Sequence, residues 1–562
     1  MDSYSPIEAN NERNSPTGFM PIFSMLMIFM LCSCSNQEKS FDILILNGTV
    51  VDGTGGPRFS ADIGIREGHI ATMGDLDGAA AAEIIDATGK IVSPGFIDMH
   101  SHSDVTLLED GLAQSAIRQG ITTLVNGNCG SSPAPVSHLV SSEPSFETFG
   151  QYLDALVKSG TSANVCALVG HNAIRKAVMG VEDREPTKTE LEQMKELVAE
   201  AMQSGAVGMS TGLVSPPGVF ADTEEIIELA KVVADMGGLY ATHMRGEAST
   251  LLESVREALR IGREAQVPVQ ISHHKAVGKE NWGTTMKTLK MIERANDDGL
   301  TVLVDVYPYV AGSANLSQFI PPWAHVGGRD PMLERLRDPE VRERVKYSMV
   351  HGSDDWQNFF TIHWEDIQIA RVKTEKNRQW VGKRVADVAR SRGISGYDAC
   401  IDLILEEEDD IDMINFVIDE KEMQSVLAHP LSVVGSDGRA VSPETFDANP
   451  HPRFYGCFPR VLGRYCRDIN LFDLEIAIHK MTGMVAKQLG IQNRGLIHEG
   501  YAADITIFDM DKVIDKATFE NSNQYPEGIE TVIVNGELVL HEGNHKGTKP
   551  GKIIKPERKS SG

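Results

Sequence analysis

The spacing of apolar positions divides the chain into stretches of different rhythm. From Phe41 to Met73 apolar residues come in short runs (Ile43-Leu44-Ile45-Leu46, Thr49-Val50-Val51, Ile63-Gly64-Ile65 and His69-Ile70-Ala71) separated by turn pairs such as Asn47-Gly48. Near the other end, Ala503–Phe508, Thr531–Val534 and Glu537–Leu540 repeat that texture around Asn535-Gly536. Short alternating runs punctuated by Asn-Gly pairs predict strands joined by tight turns. Two β-rich ends flanking one large middle predict a small β-sandwich built jointly from residues 41–94 and 491–545, with a tail at 546–562.

The middle, residues 95–490, alternates apolar strands with stretches whose apolar residues recur every three or four positions, as in Thr223–Met236. Strands are expected at Gly95–Asp98, Thr122–Val125, Val165–Val169, Ala206–Met209, Leu239–Thr242, Val267–Ser272, Thr301–Val306 and Leu431–Gly435. Repeated βα units of this number predict an α/β fold, a (β/α)8 TIM-like barrel. The segment 319–430 is too long for a structureless loop and has helical patterning at Asp330–Tyr347, Gly382–Arg392 and Tyr397–Glu408. It is expected to be a subdomain inserted between strands 7 and 8. Its acidic run Glu406–Asp410 is expected to be a solvated helix end.

At 562 residues the chain has ample length for a large core, and its formal net charge of −26 disfavours binding nucleic acid or anionic membranes through a basic face. Ahead of the first strand, the apolar run Phe19–Leu31 is shorter than a spanning helix and fits the core of a signal peptide. Leu31-Cys32-Ser33-Cys34 then resembles a bacterial lipobox, with cleavage before Cys34 and lipid on its thiol. Residues 1–34 are therefore expected to be a leader, and the protein an exported lipoprotein, periplasmic or membrane-tethered. The cysteines that remain are scattered and imply no disulfide framework.

Residues able to bind metal fall where the predicted strands end. Gly95–Asp104 carries His100 and His102, which an extended backbone directs to one side. Cys129 follows strand 2, His243 ends strand 5, His273 and His274 end strand 6, and Asp437 ends strand 8. His171, after strand 3, is open to a structural reading. The C-terminal rim is where barrel enzymes keep their catalytic groups. Cysteine and histidine donors together suit Zn²⁺.

This set resembles the amidohydrolase superfamily, and within it the N-acyl-D-amino-acid deacylases, or D-aminoacylases. The stretches that carry the resemblance are GFIDMHSHSD, NGNCGSSPAP, STGLVSPPG, YATHMRGE, ISHHK, DVYPYVAGS, GSDG and HPRFYGCFPRVLGRY. The resemblance implies that Cys129, His243 and His273 hold one tight zinc. It also implies that His100, His102 and Asp437 form a second position, weak or empty. It selects His273 over His274, and makes Asp437 the catalytic base and acid. It further implies that Arg453, Tyr307 and Ser313, with Lys275 assisting, bind the α-carboxylate of a small-molecule substrate. The expected reaction is hydrolysis of an N-acyl-D-amino acid. Strand 4 lacks the lysine that commonly bridges two metals in related enzymes, which argues against the alternative of a cyclic-amide or dipeptide hydrolase. A lipoprotein that binds such ligands without turnover is the other alternative.

Overall fold

The structure, a computed structural model, describes residues 41–136, 146–352, 360–446 and 448–556. The leader with Cys32 and Cys34 lies outside the described residues.

Eight parallel strands form the central sheet: β1 Phe96–Asp98, β2 Ile121–Asn126, β3 Asn164–Gly170, β4 Gly208–Gly212, β5 Leu239–His243, β6 Val269–Ile271, β7 Val302–Val306 and β8 Ser432–Val434. They neighbour one another in chain order, apart from the long excursion before β8. A parallel bridge between Ser101 and Gly438, just beyond β1 and β8, closes the ring. This is the expected (β/α)8 barrel. The strands are buried on both faces, and so read as apolar runs with no alternation. The helices are one-sided: Leu251–Ala265 buries Leu251, Val255, Ala258, Leu259, Gly262 and Ala265 against the barrel. Inside the barrel, Ile97, Val125, Leu168, Val207, Ala241 and Val433 pack together, and Val485, Leu489 and Ile554 plug the lower end.

The sandwich draws on both ends of the chain. Its seven-stranded sheet sets Ile505–Phe508 antiparallel to Ile91–Pro94, with C-terminal strands on one side and Thr49–Val50 and Phe59–Ser60 on the other. The facing four-stranded sheet comes from the N-terminal part alone: Phe41–Leu46, Asp62–Arg66, His69–Gly74 and Ala81–Asp86. Isoleucines and valines such as Ile43, Ile63, Ile65, Val92, Ile505 and Ile533 fill the space between them. Part of the expected tail is also built in. Val165 at the start of β3 donates to the carbonyl of Lys552 and accepts from the amide of Ile554.

The subdomain between β7 and β8 has its own core, including Leu316, Met332, Trp364, Ile369, Leu403 and Met413. Its sheet sets Ile411–Asn415 between Gly312–Asn315 and Ile367–Val372, all antiparallel. The excursion thus begins at Gly312, earlier than residue 319. Glu420–Ala428 is the barrel helix that leads into β8. The helix expected over Asp330–Tyr347 is two, Arg329–Arg337 and Pro339–His351, because Pro339 starts a new helix capped by Asp338. The acidic run is not a solvated end. Glu407 is fully buried and accepts from Thr374 and Asn377, Glu406 pairs with Arg392, and Asp410 with Arg371.

Candidate metal centre at the barrel mouth

Beyond Asp98 the chain leaves β1 and bends at Met99 and His100, yet His100 and His102 still reach one group. Their Nε2 atoms lie 3.7 and 3.1 Å from Asp437 Oδ1. The backbone fixes this arrangement: Asp437 donates its amide to the His100 carbonyl (2.8 Å for the parallel bond from His102 to Gly438, 2.7 Å for this one). Buried Asp98 accepts the amides of Ser436 at 2.7 Å and His100 at 3.2 Å, tying the first loop to the last.

Cys129 is at the centre. Its Sγ lies 3.3 Å from His100 Nε2 and 3.6 Å from His273 Nε2, and His273 Nε2 is 3.1 Å from His243 Nδ1. The donors fall into three overlapping groups: His100, Cys129 and His273; His100, His102 and Asp437; His243, Glu247 and His273. The two separate sets implied by the sequence are one continuous cluster here, with His100 and His273 each shared. Burial opposes charge on Cys129, yet the adjacent imidazoles, His100 foremost, hold its thiol well below the ordinary range. A soft thiolate among imidazole nitrogens is a donor set suited to zinc.

Cys129, His273 and Asp437 have φ of 53°, 34° and 50°, in the left-handed region that side chains ordinarily avoid. Each is at a strand end, and each turns its side chain towards the cluster. Strained backbone gathered at one place marks a functional site.

Arg453, expected at the substrate carboxylate, is paired with Asp437. Its guanidinium donates to Asp437 Oδ2 at 2.9 Å and stacks over the Tyr307 ring at 4.6 Å. Burial alone would raise the Asp437 pKa; the Arg453 cation beside it, with His100, holds the carboxyl well below its usual range. Among the described residues, Nε and NH1 of Arg453 have no hydrogen-bond partner. Lys275 is bound to Glu247 at 2.7 Å, and Ser313 Oγ donates to the Met413 carbonyl at 2.9 Å. Tyr307, Ser313 and Lys275 line the same cavity as His102, Cys129, His243, His273 and Asp437. That cavity, about 1030 Å³, runs from the barrel mouth to subdomain residues such as Phe319 and His325.

His171 is buried against Glu225 at 2.7 Å, outside the cluster. His274 points away and meets Thr288 Oγ1 at 2.8 Å. Two carboxylates that sequence reasoning did not single out back the cluster: Glu247, 2.9 Å from His273 Nδ1, and Asp305, 3.1 Å from His100 Nδ1. A lone acid inside the apolar strand VLVDV was the available signal, because a buried carboxylate requires partners.

A parallel barrel with a thiolate, imidazoles and a carboxylate converging at its C-terminal rim has the architecture of metal-dependent barrel hydrolases. The chain belongs to the amidohydrolase family, which it matches over residues 83–347 and 367–540. It is 39% identical to a D-aminoacylase of Alcaligenes xylosoxydans xylosoxydans over 92% of this chain and 98% of that one. It superposes with a TM-score of 0.79 on the N-acyl-D-glutamate deacylase of Bordetella bronchiseptica, crystallised with zinc and a phosphonate mimic of the tetrahedral intermediate. Identity there is 35%, over 92% of this chain and all (100%) of that one. A D-aminoacylase structure described by its binuclear metal centre, with one-metal activation and second-metal attenuation, is 38% identical over 92% of this chain and 100% of that one, with a TM-score of 0.78.

Proposed function

We propose that this chain is a zinc-dependent N-acyl-D-amino-acid deacylase, hydrolysing the amide to a D-amino acid and a carboxylate. The observation that carries this reading is the cluster around Cys129, with Asp437 and Arg453 locked together beside it. Cys129, His243 and His273 would hold one tight zinc with a position left open, and His100, His102 and Asp437 a second, weaker one. Zinc in such a site supplies a Lewis acid for the amide carbonyl and lowers the pKa of water to about 7.

The chain's own groups supply the rest. Asp437, ionised by Arg453, takes the proton of the attacking water at Oδ1 and returns it to the departing nitrogen. Arg453 has N–H groups on Nε and Nη1 still to offer, on different edges of the guanidinium, so each can give a carboxylate one hydrogen bond. Tyr307 holds the guanidinium flat, and Ser313 and Lys275 supply further polar contacts at the cavity wall. With the α-carboxylate and scissile carbonyl fixed, the two enantiomers send their side chains in different directions, and the side-chain pocket supplies the third contact that selects the stereoisomer. The subdomain wall around Phe319 then limits side-chain and acyl size. A cyclic-amide hydrolase is a poorer fit, because β4 carries Met209, Ser210 and Thr211 and no lysine.

Hydrolysis of N-acetyl-D-methionine, N-acetyl-D-glutamate and N-acetyl-D-aspartate, compared with their L-isomers and a hydantoin, tests the proposal. Activity on at least one D-substrate is expected; activity confined to L-isomers or the hydantoin overturns it. The sequence of the leader adds a proposal of its own, export with lipid on Cys34. Labelling with a palmitate analogue checks it and should disappear in Cys34→Ser.

A further inference from the structure

Asp305 is a buried carboxylate of β7 and is not among the residues that line the cavity at the barrel mouth. Its contacts are nevertheless with the cluster. Oδ1 accepts from His100 Nδ1 at 3.1 Å and from the backbone amide of His273 at 2.7 Å. Oδ2 accepts from Gln270 Nε2 at 2.9 Å, and the Asp305 carbonyl accepts the amide of His274 at 2.8 Å. One carboxylate therefore holds the ring of His100, on the loop after β1, and the main chain of His273, after β6. The His273 amide belongs to a residue at φ 34°, so this bond secures a backbone that would otherwise relax. With Nδ1 of His100 committed to Asp305, Nε2 is the nitrogen left for Cys129 and Asp437.

Neighbouring residues are fitted around this contact. A Cβ built on Gly435 would lie 2.6 Å from His100 Cβ and 3.1 Å from Asp305 Oδ1, so only glycine leaves the pair its space. Gln270 Oε1 has no partner among the described residues, so its amide can turn over to meet a donor at position 305.

We infer that Asp305 is a positioning residue for both metal positions at once, setting the ring of His100 for the second and the backbone that presents His273 for the first. This rests on the zinc reading above. Because it acts as a hydrogen-bond acceptor, an isosteric amide should replace it. The asparagine Oδ1 would keep both bonds, and Gln270 would turn to accept from Nδ2.

The test uses full-length protein stripped of metal and reloaded. Zinc affinity at the first and second equivalents is measured by chelator competition, and the thiolate-to-cobalt absorption of the Co²⁺ form reports ligand geometry. Asp305→Ala should lose tenfold or more at both equivalents, in line with the ~10–100-fold cost of losing a carboxylate behind a ligand, and its cobalt spectrum should change. Asp305→Asn should stay within about threefold of wild type at both equivalents with the wild-type spectrum. A smaller loss at either equivalent in Asp305→Ala, or a larger one in Asp305→Asn, overturns the inference. If Asp305→Ala does not fold, Asp305→Asn decides alone by the same threshold. Failure of the wild-type protein to bind zinc would instead refute the proposed function, since Asp305 is judged only by the ratio of variant to wild type.

Discussion

Asp437 uses its two oxygens differently. Oδ1 faces His102 and His100, while Oδ2 is held by Arg453. The residue can therefore exchange a proton on one side while a fixed cation on the other keeps it ionised. Asp437→Asn keeps the shape and removes the base. Turnover should fall by roughly 10²–10⁴-fold, while the first zinc equivalent binds within a few-fold of wild type. Near-normal turnover would reassign the base. Alanine is the poorer test, because it leaves the Arg453 charge buried and unpaired, at a cost of about 3–5 kcal/mol.

The histidines and Cys129 were legible in the sequence because their residue types are uncommon at strand ends without a reason. Their grouping was not, because it depends on how far each loop carries its side chain. Arg453 was legible only as a cation near the site, and its bond to Asp437 is a property of the fold. Asp305 was harder still. Its partner His100 is 205 positions away, and nothing local in VLVDV names it.

At the scale of elements, barrel strands are short and their ends do the chemical work. β8 covers only Ser432–Val434, yet the next residues set Gly435 against His100 and Asp305, and Asp437 against His102. Gly435→Ala places a methyl group in that contact. A loss of about 1–3 kcal/mol in urea unfolding is expected from overpacking, along with weaker zinc binding. Unchanged stability and affinity would show that the loop can give way. The barrel strands and most helices were readable from periodicity. The subdomain's first strand, Gly312–Asn315, was not, because a run of Gly, Ser, Ala and Asn has no strand signature. The acidic run misled for a related reason: charge suggested solvent, whereas Glu407 closes the turn at Thr374–Asn377.

At the scale of the whole molecule, one lysine among the described residues is buried for structure alone. Lys480 lies beneath β8, where its Nζ donates to the carbonyls of His429 and Ser432, and burial lowers its pKa to about 7. A neutral amine has two N–H groups, enough for both. Because the folded pKa lies below the unfolded value of 10.5, the unfolded chain binds this proton more tightly. Stability contributed here is therefore lowest below pH ~7 and rises towards pH ~10.5. In urea unfolding, the stability of wild type relative to Lys480→Met should increase by on the order of 1–2 kcal/mol between pH 7 and 9. A flat difference would mean that the lysine stays charged.

The sandwich and the lower end of the barrel have a consequence in time. The seven-stranded sheet pairs Ile91–Pro94 with Ile505–Phe508, and the start of β3 is covered by Lys552–Ile554. While the chain is being made, the N-terminal strands and β3 wait for partners that emerge last. Contacts of such long separation form slowly, and until they form the barrel has an open end. A ribosome-bound chain lacking its final strands would present apolar edges to chaperones. The metal cluster, drawn from loops after β1, β2, β5, β6 and β8, is likewise completed only late in synthesis, so zinc would meet a finished site only after most of the polypeptide is in place.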